Sequence, residues 1–264
     1  MSAIERLRGS DAFYRLIWMM NLVVRGGICR RSTAYWRSLH GKFRGRRGFV
    51  IGNGPSLKVA DLTRLKDEIC VASNKVYLAY PETPWRPTLL TCADRLVWEK
   101  IRGEVHRHTD RIHLLSTLQV GPTQVEAVLI RNRCGFQGHP DGFATDILHG
   151  AFGGRTVTYT NLQIAAHLGL NPIYLIGCDH YYRGESIARK EGEKVVHEGD
   201  SNHFVKGYRQ PGEVVNSAPI EQMTAAFENA FRVATAAGIE IRNATRGGHL
   251  EAFPRVDIDR LLES

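Results

Sequence analysis

Four short runs constrain the fold more than any other feature: residues 49–51, 69–72, 89–92 and 173–176 are apolar with almost no alternation. A strand with one wet face alternates apolar and polar side chains, whereas a continuous run is covered on both faces, as in a parallel sheet flanked by helices. Helical segments are expected at 61–66, at 156–168 (stopped by Gly169 and Pro172), at 219–237 and at 256–262. Strands are expected within 48–51, 68–74, 86–94, 111–116, 171–179 and 239–245. Segment 124–132 fits either state, 135–154 reads as loop, and 180–215 is a long polar loop. The class is therefore α/β: a doubly wound, Rossmann-like, largely parallel sheet.

The formal charge of +8 is unevenly placed. Residues 1–48 hold eleven Lys/Arg against two Asp/Glu, and the rest of the chain is close to neutral. A fold whose whole face is cationic is thereby excluded, and with it a nucleic-acid partner. Residues 1–47 are read as a basic, amphipathic helical arm, and 48–264 as the sheet domain. Within the arm, Phe13, Leu16, Ile17, Met20 and Val24 recur at helical spacing among arginines. Two readings stay open: a helix lying on an anionic membrane surface, or one packed on the domain or on a second subunit. The stretch is too short and too interrupted to span a bilayer. The five cysteines (29, 70, 92, 134 and 178) show no metal or disulfide spacing, so buried thiols in a reduced, cytoplasmic protein are expected, with the inner membrane face as a peripheral location.

Three constellations carry chemistry. Gly52-Asn53-Gly54-Pro55-Ser56 follows the first strand directly, where glycines allow a tight turn and close approach to a ligand such as a phosphate. It departs from the dinucleotide fingerprint, with Leu57 at the last glycine and Asn74 where an acidic ribose ligand would stand. Arg155-Thr156-Val157-Thr158 opens a helix whose N–H groups and hydroxyls suit an anion, and Gly177-Cys178-Asp179-His180-Tyr181-Tyr182 ends the next strand. Tyr181 and Tyr182 can donate to a departing phosphate; Asp179 can order a ligand hydroxyl, bind a metal or cap the loop. The third is His203 in the 180–215 loop, a general base by its ordinary pKa. The histidines at 106, 108, 113, 139, 149, 167 and 197 are read as surface or core residues.

The motifs GNGPSL, SNKVYL, TVT with AAHLGL, IYLIGCDH, SNHF, NATRGG and FPRVD, in this order from about residue 48 onward, resemble the MptE-like family, named for archaeal 6-hydroxymethylpterin diphosphokinases. The pattern is also similar to the bacterial CMP-sialic acid sialyltransferases. That similarity implies that Asn53, Asn74, Thr156 and Asp179 hold a nucleotide sugar, that Tyr181 meets the phosphate, and that His203 acts as base on the acceptor hydroxyl. The sequence departs from the sialyltransferase pattern at Val157-Thr158 and at His180.

The expected activity is a transferase of surface-glycan assembly that takes a CMP-activated, sialic-acid-like sugar and a glycan or lipid-linked acceptor, with no metal required. The alternative is an MptE-like pyrophosphokinase acting from ATP on a pterin-type alcohol, with Mg2+ held by Asp94 or Asp179, both at strand ends. A noncatalytic nucleotide-binding protein is the third reading.

Overall fold

A computed structural model describes residue 19 and residues 26–115, 123–133, 142–182, 187–191, 194–197, 202–216 and 218–263. Each expected strand forms, and the ambiguous 124–132 segment adds β5: β1 (Gly48–Ile51), β2 (Ile69–Ser73), β3 (Leu89–Cys92), β4 (Arg111–Leu115), β5 (Glu126–Ile130), β8 (Ile173–Ile176) and β12 (Ile241–Asn243). They form one sheet in the order β12-β8-β1-β2-β3-β4-β5 with every pairing parallel. The order runs outward from β1 to β5, then restarts at β8 on the other side of β1. The β1/β8 boundary is thus the point where strand order reverses, the place where open α/β sheets bind ligands.

Successive side chains of a strand point to opposite faces, and the two cores follow from that period. Val50, Val71, Leu89 and Leu175 join the core under α1 (Gly26–Leu39), α4 (Val157–His167) and α5 (Ile220–Ala236). Phe49, Ile51, Cys70, Ala72, Leu90 and Ile176 join the opposite core under α2 (Val59–Arg64), α3 (Arg95–Ile101) and α6 (Ile258–Glu263). Segment 124–132 resolves as β5 followed by the two-residue β6 (Asn132–Arg133), which pairs with β7 (Ala151–Phe152). Cys29, Cys70, Cys92 and Cys178 are buried thiols outside any disulfide; burial pushes the Cys70 and Cys178 thiols up to about 12, which makes them structural.

Two expectations change. The long polar loop contains β9 (Ile187–Glu191), β10 (Lys194–His197) and β11 (Glu213–Asn216), a separate antiparallel sheet in the order β11-β10-β9. The basic segment, too, enters the domain earlier than the boundary after residue 47. Trp36 on α1 is buried and its Nε1 donates to the Leu129 carbonyl, while the Ser32 hydroxyl accepts from Leu129 N–H, so α1 packs on edge strand β5. Arg30, Arg31 and Arg37 lie on its exposed side. The stretch 12–24, apart from exposed Met19, lies outside the described residues. Among the described residues, no helix is long and apolar enough to cross a membrane.

α4 is buried from Tyr159 to His167, polar side chains included. Gln163 is fully buried: its carbonyl oxygen accepts from Ala144 and Phe152 N–H, and its amide donates to the carbonyls of Phe152 and Tyr159. Gln163→Met keeps the volume but strands two buried N–H groups. It is expected to lower unfolding stability by about 3 kcal/mol, measurable by urea denaturation; an unchanged midpoint would refute this role.

Candidate active site at the carboxyl ends of the strands

The Gly52–Ser56 turn continues β1 and packs directly on the turn that ends β8. Gly52 N–H donates to the Ile176 carbonyl at 2.7 Å and Gly54 N–H to the Gly177 carbonyl at 2.9 Å. A Cβ on Gly52 would lie 2.2 Å from the Gly177 oxygen, and one on Gly54 2.0 Å from Asp179 Oδ2. Close contact between the two turns, rather than room for a phosphate, is what requires glycine here. Ser56 Oγ donates to Asp179 Oδ2 at 2.7 Å, and the Asp179 carbonyl accepts from His249 N–H at 2.7 Å. Of the roles open to Asp179, the geometry displays the cap: it joins the ends of β8 and β1 to the 245–249 loop after β12.

Asn53 and Asn74 stand at the ends of β1 and β2. Asn53 Nδ2 donates to the Ser73 carbonyl at 3.1 Å, and Asn74, with φ +56°, is held through its backbone N–H to the Thr91 carbonyl. Both side-chain oxygens, Asn53 Oδ1 and Asn74 Oδ1, are buried without a hydrogen-bond partner among the described residues. Buried acceptors of this kind call for a ligand or water that donates to them.

The 202–208 segment crosses the same strand ends. Phe204 N–H donates to the Asn53 carbonyl at 3.1 Å, Lys75 Nζ to the Tyr208 carbonyl at 2.8 Å, and the Lys75 N–H lies 3.4 Å from the Tyr208 hydroxyl. The His203 ring stacks on Tyr208 with centroids 3.9 Å apart and planes 7° from parallel. Burial holds the Tyr208 phenol well above its ordinary value, so it stays protonated. Behind this segment, Glu213 of β11 accepts from Lys100 of α3 at 2.8 Å, from Gln210 N–H at 3.0 Å and from Arg209 at 3.1 Å. Burial pushes the Glu213 carboxyl up, but these donors outweigh it and leave it below the ordinary range.

The start of α4 lies beside the end of β8: burial raises the Cys178 pKa, and the nearby Thr158 hydroxyl works against that rise. The helix start is largely capped from within, Thr156 Oγ1 accepting from Thr158 N–H and Thr156 N–H reaching the Gly153 carbonyl. The threonine hydroxyls, more than open N–H groups, are what this end offers an anion. Tyr181 is half exposed, its ring 4.8 Å from that of His249, and Tyr182 is also exposed. His180, with φ +54°, bonds Thr224 Oγ1 through Nε2 at 2.7 Å, and its Nδ1 is buried without a partner among the described residues. Burial, then the neighbouring His249, lower its pKa.

Asp94 is elsewhere. It caps α3 through Leu96 N–H, and its other oxygen accepts from Asn216 Nδ2 at 3.0 Å. Its strand, β3, is three places from β8, about 14 Å at the usual spacing. Asp94 and Asp179 therefore cannot share an ion. Lys75, Tyr208 and His249 were not singled out from the sequence; the signals available were the position of Lys75 directly after Asn74 and that of His249 after the Arg-Gly-Gly turn.

Fold and site define a doubly wound α/β protein with a loop-built rim at its switch point. The chain belongs to the MptE-like family: residues 31–185 match the family described as 6-hydroxymethylpterin diphosphokinase MptE-like. A diphosphokinase transfers a group, so family membership supports a transferase. Among solved structures, the chain is similar to the MAf glycosyltransferase from Magnetospirillum magneticum AMB-1, with 15% identity over 88% of this chain and 39% of that one, at a TM-score of 0.49. It thus spans about two-fifths of that protein's length. A short-chain dehydrogenase/reductase from Serratia marcescens BCRC 10948 matches at 15% identity over 76% of this chain and 74% of that one, with a TM-score of 0.26. No curated protein matches.

The tight contact at Gly54 has a measurable consequence. Gly54→Ala drives a methyl group into the Asp179 carboxylate and is expected to cost about 1–3 kcal/mol. Gly103→Ala, with nothing among the described residues within 4 Å of its Cβ, is the control. Equal thermal unfolding of the two variants would show that the turns do not depend on this contact.

Proposed function

We propose that the chain is a nucleotide-sugar-dependent glycosyltransferase that takes a CMP-activated, sialic-acid-like donor and acts in surface-glycan assembly. The observation that carries this is the seat of the 202–208 segment: His203 stacks on Tyr208 across the strand ends where Asn53 and Asn74 keep buried oxygens with no partner among the described residues. Amide oxygens suit the hydroxyl and amino groups of a nucleoside and need no charge to do so. Thr156 and Thr158 at the head of α4 take the phosphate, with Tyr181 and Tyr182 donating to it as it leaves. Asp179 holds the Gly52–Ser56 turn in place through Ser56.

In the transfer step His203 accepts the proton of the acceptor hydroxyl, on a glycan or a lipid-linked glycan. That oxygen bonds the anomeric carbon while the bond from this carbon to the phosphate oxygen breaks, through an oxocarbenium-like state. CMP departs with the electron pair. Every step uses groups of the chain alone.

Family membership favours a second reading, a pyrophosphokinase moving diphosphate from ATP to a pterin-type alcohol. Such an enzyme uses Mg2+ on the ATP phosphates. Asp94 and Asp179 do not fit one shared ion, and no step is assigned to it.

Thermal unfolding with CMP, CDP, UDP, AMP and ATP, each with Mg2+ or EDTA, separates the readings, because a ligand of the folded state stabilises it by RT ln(1 + [L]/Kd). CMP is expected to raise the midpoint equally in Mg2+ and in EDTA. A shift with ATP that needs Mg2+ would replace the sugar transferase by the kinase, and no shift with any nucleotide would leave neither. His203→Ala is expected to slow transfer by about 10²–10⁴-fold while the CMP shift persists. Unchanged turnover would remove His203 from the mechanism.

A further inference from the structure

The opposite end of the sheet carries a second group of ligating side chains. α4 runs from the strand ends back toward the strand starts, so its last residue, His167, lies about 15 Å from its first. There it meets His40, just past the end of α1, and Asp146, the cap of the Ile147–His149 turn. One donor atom from each of the three lies within 4.8 Å of the others. None of them serves the transfer site.

The hydrogen bonds around His167 fix its ring. Nε2 lies 2.8 Å from the Trp36 carbonyl, which can only accept, so Nε2 carries a proton. Nδ1 lies 3.1 Å from Asp146 Oδ1, a second acceptor, which also caps Leu148 N–H at 2.9 Å. The Ile147 N–H reaches Nδ1 only at 3.4 Å. A ring lone pair and a carboxylate oxygen at this separation repel unless positive charge joins them, as a second ring proton or as a cation. His40 decides in favour of a cation. It brings a second imidazole to the same point, with its ring centroid 5.0 Å from that of His167, from the solvent side where an ion would enter.

We propose that His40, Asp146 and His167 form a binding site for a divalent transition-metal ion of the zinc class. Two imidazoles and one carboxylate are a nitrogen-rich set that suits Zn2+, Co2+ or Ni2+ over Mg2+ or Ca2+, with water completing the shell. The Trp36 carbonyl behind His167 is the kind of outer partner that fixes a ligating ring. An ion here ties α1, α4 and the 142–150 segment together, away from the chemistry, so its part is structural.

The test uses the full-length chain stripped with chelator, then titrated with Zn2+ by calorimetry and with Co2+ by visible absorption. One equivalent of Zn2+ is expected to bind and to raise the unfolding temperature, and Co2+ to develop ligand-field bands. His40→Ala and Asp146→Asn are each expected to weaken Zn2+ binding at least about tenfold. His40 is exposed, so its variant should unfold like the parent when both are metal-free. Absence of Zn2+ binding would overturn the site and identify the 3.1 Å contact as an imidazolium–carboxylate pair. Equal binding by parent and both variants would overturn it too, placing the ion on other histidines, and Mg2+ binding as tightly as Zn2+ would refute the metal class.

Discussion

The arrangement of the strand ends depends on one clasp, the Asp179 side chain and backbone between three turns. Ser56 donates to its carboxylate from the β1 turn, His249 N–H donates to its carbonyl from the β12 turn, and Gly54 and Gly248 have no Cβ where one would strike it. The carboxylate is only partly buried, yet each contact is short, so three adjacent strands end in one rigid rim. Because the β1 and β8 turns are pressed together, the proposed function puts its ligand over the rim toward β2. That is where Asn53, Asn74 and the 202–208 segment gather.

On the proposed function, the rim would let a nearly neutral domain recognise an anionic donor. Besides the Ser56–Asp179 clasp, its polar groups include amides, threonine and tyrosine hydroxyls and histidines, together with Lys75, which is engaged with the Tyr208 carbonyl. Neutral donors and acceptors fixed by a framework need no reorganisation when a ligand arrives, which is the economical way to hold changing charge in a partly dry site. The buried thiols take no part: those of Cys70, Cys92 and Cys178 are all shifted upward by burial.

Much of this was legible in the sequence because burial on both faces leaves an unmistakable trace. FVI, ICVA and IYLI had no other plausible place than the middle of a covered sheet, and the residues that end such strands, Asn53, Asn74 and Asp179, then had to share one edge. The exceptions have physical causes too. β9 to β11 lie outside the main sheet in a segment rich in Lys, Arg and Glu, so no apolar run marks them. α1 was set apart by its arginines, although Cys29, Ser32 and Trp36 face inward at helical spacing. Tyr208 escaped notice because its role depends on how the 202–208 segment folds back, which depends on the distant pair Lys100 and Glu213. His249 is similar: its place is set by the Asp179 carbonyl, a contact across 70 positions of sequence.

α4 shows why the chain puts polar side chains where leucines would pack as well. Thr160, Asn161, Gln163 and His167 are all buried on this one helix. An all-apolar helix between a sheet and a covering layer can rotate or slide at little cost, since apolar contacts are non-directional. Directional bonds remove that freedom: Asn161 accepts from the Thr91 hydroxyl on β3, Gln163 stitches the helix to Ala144 and Phe152, and His167 reaches back to Trp36 on α1. Buried networks of this sort fix one arrangement over its near alternatives. For this protein the alternative matters at the helix head. A rotation by one residue, about 100°, would swing Thr156 and Thr158 away from the end of β8, and with them the hydroxyls that the proposed function assigns to the phosphate.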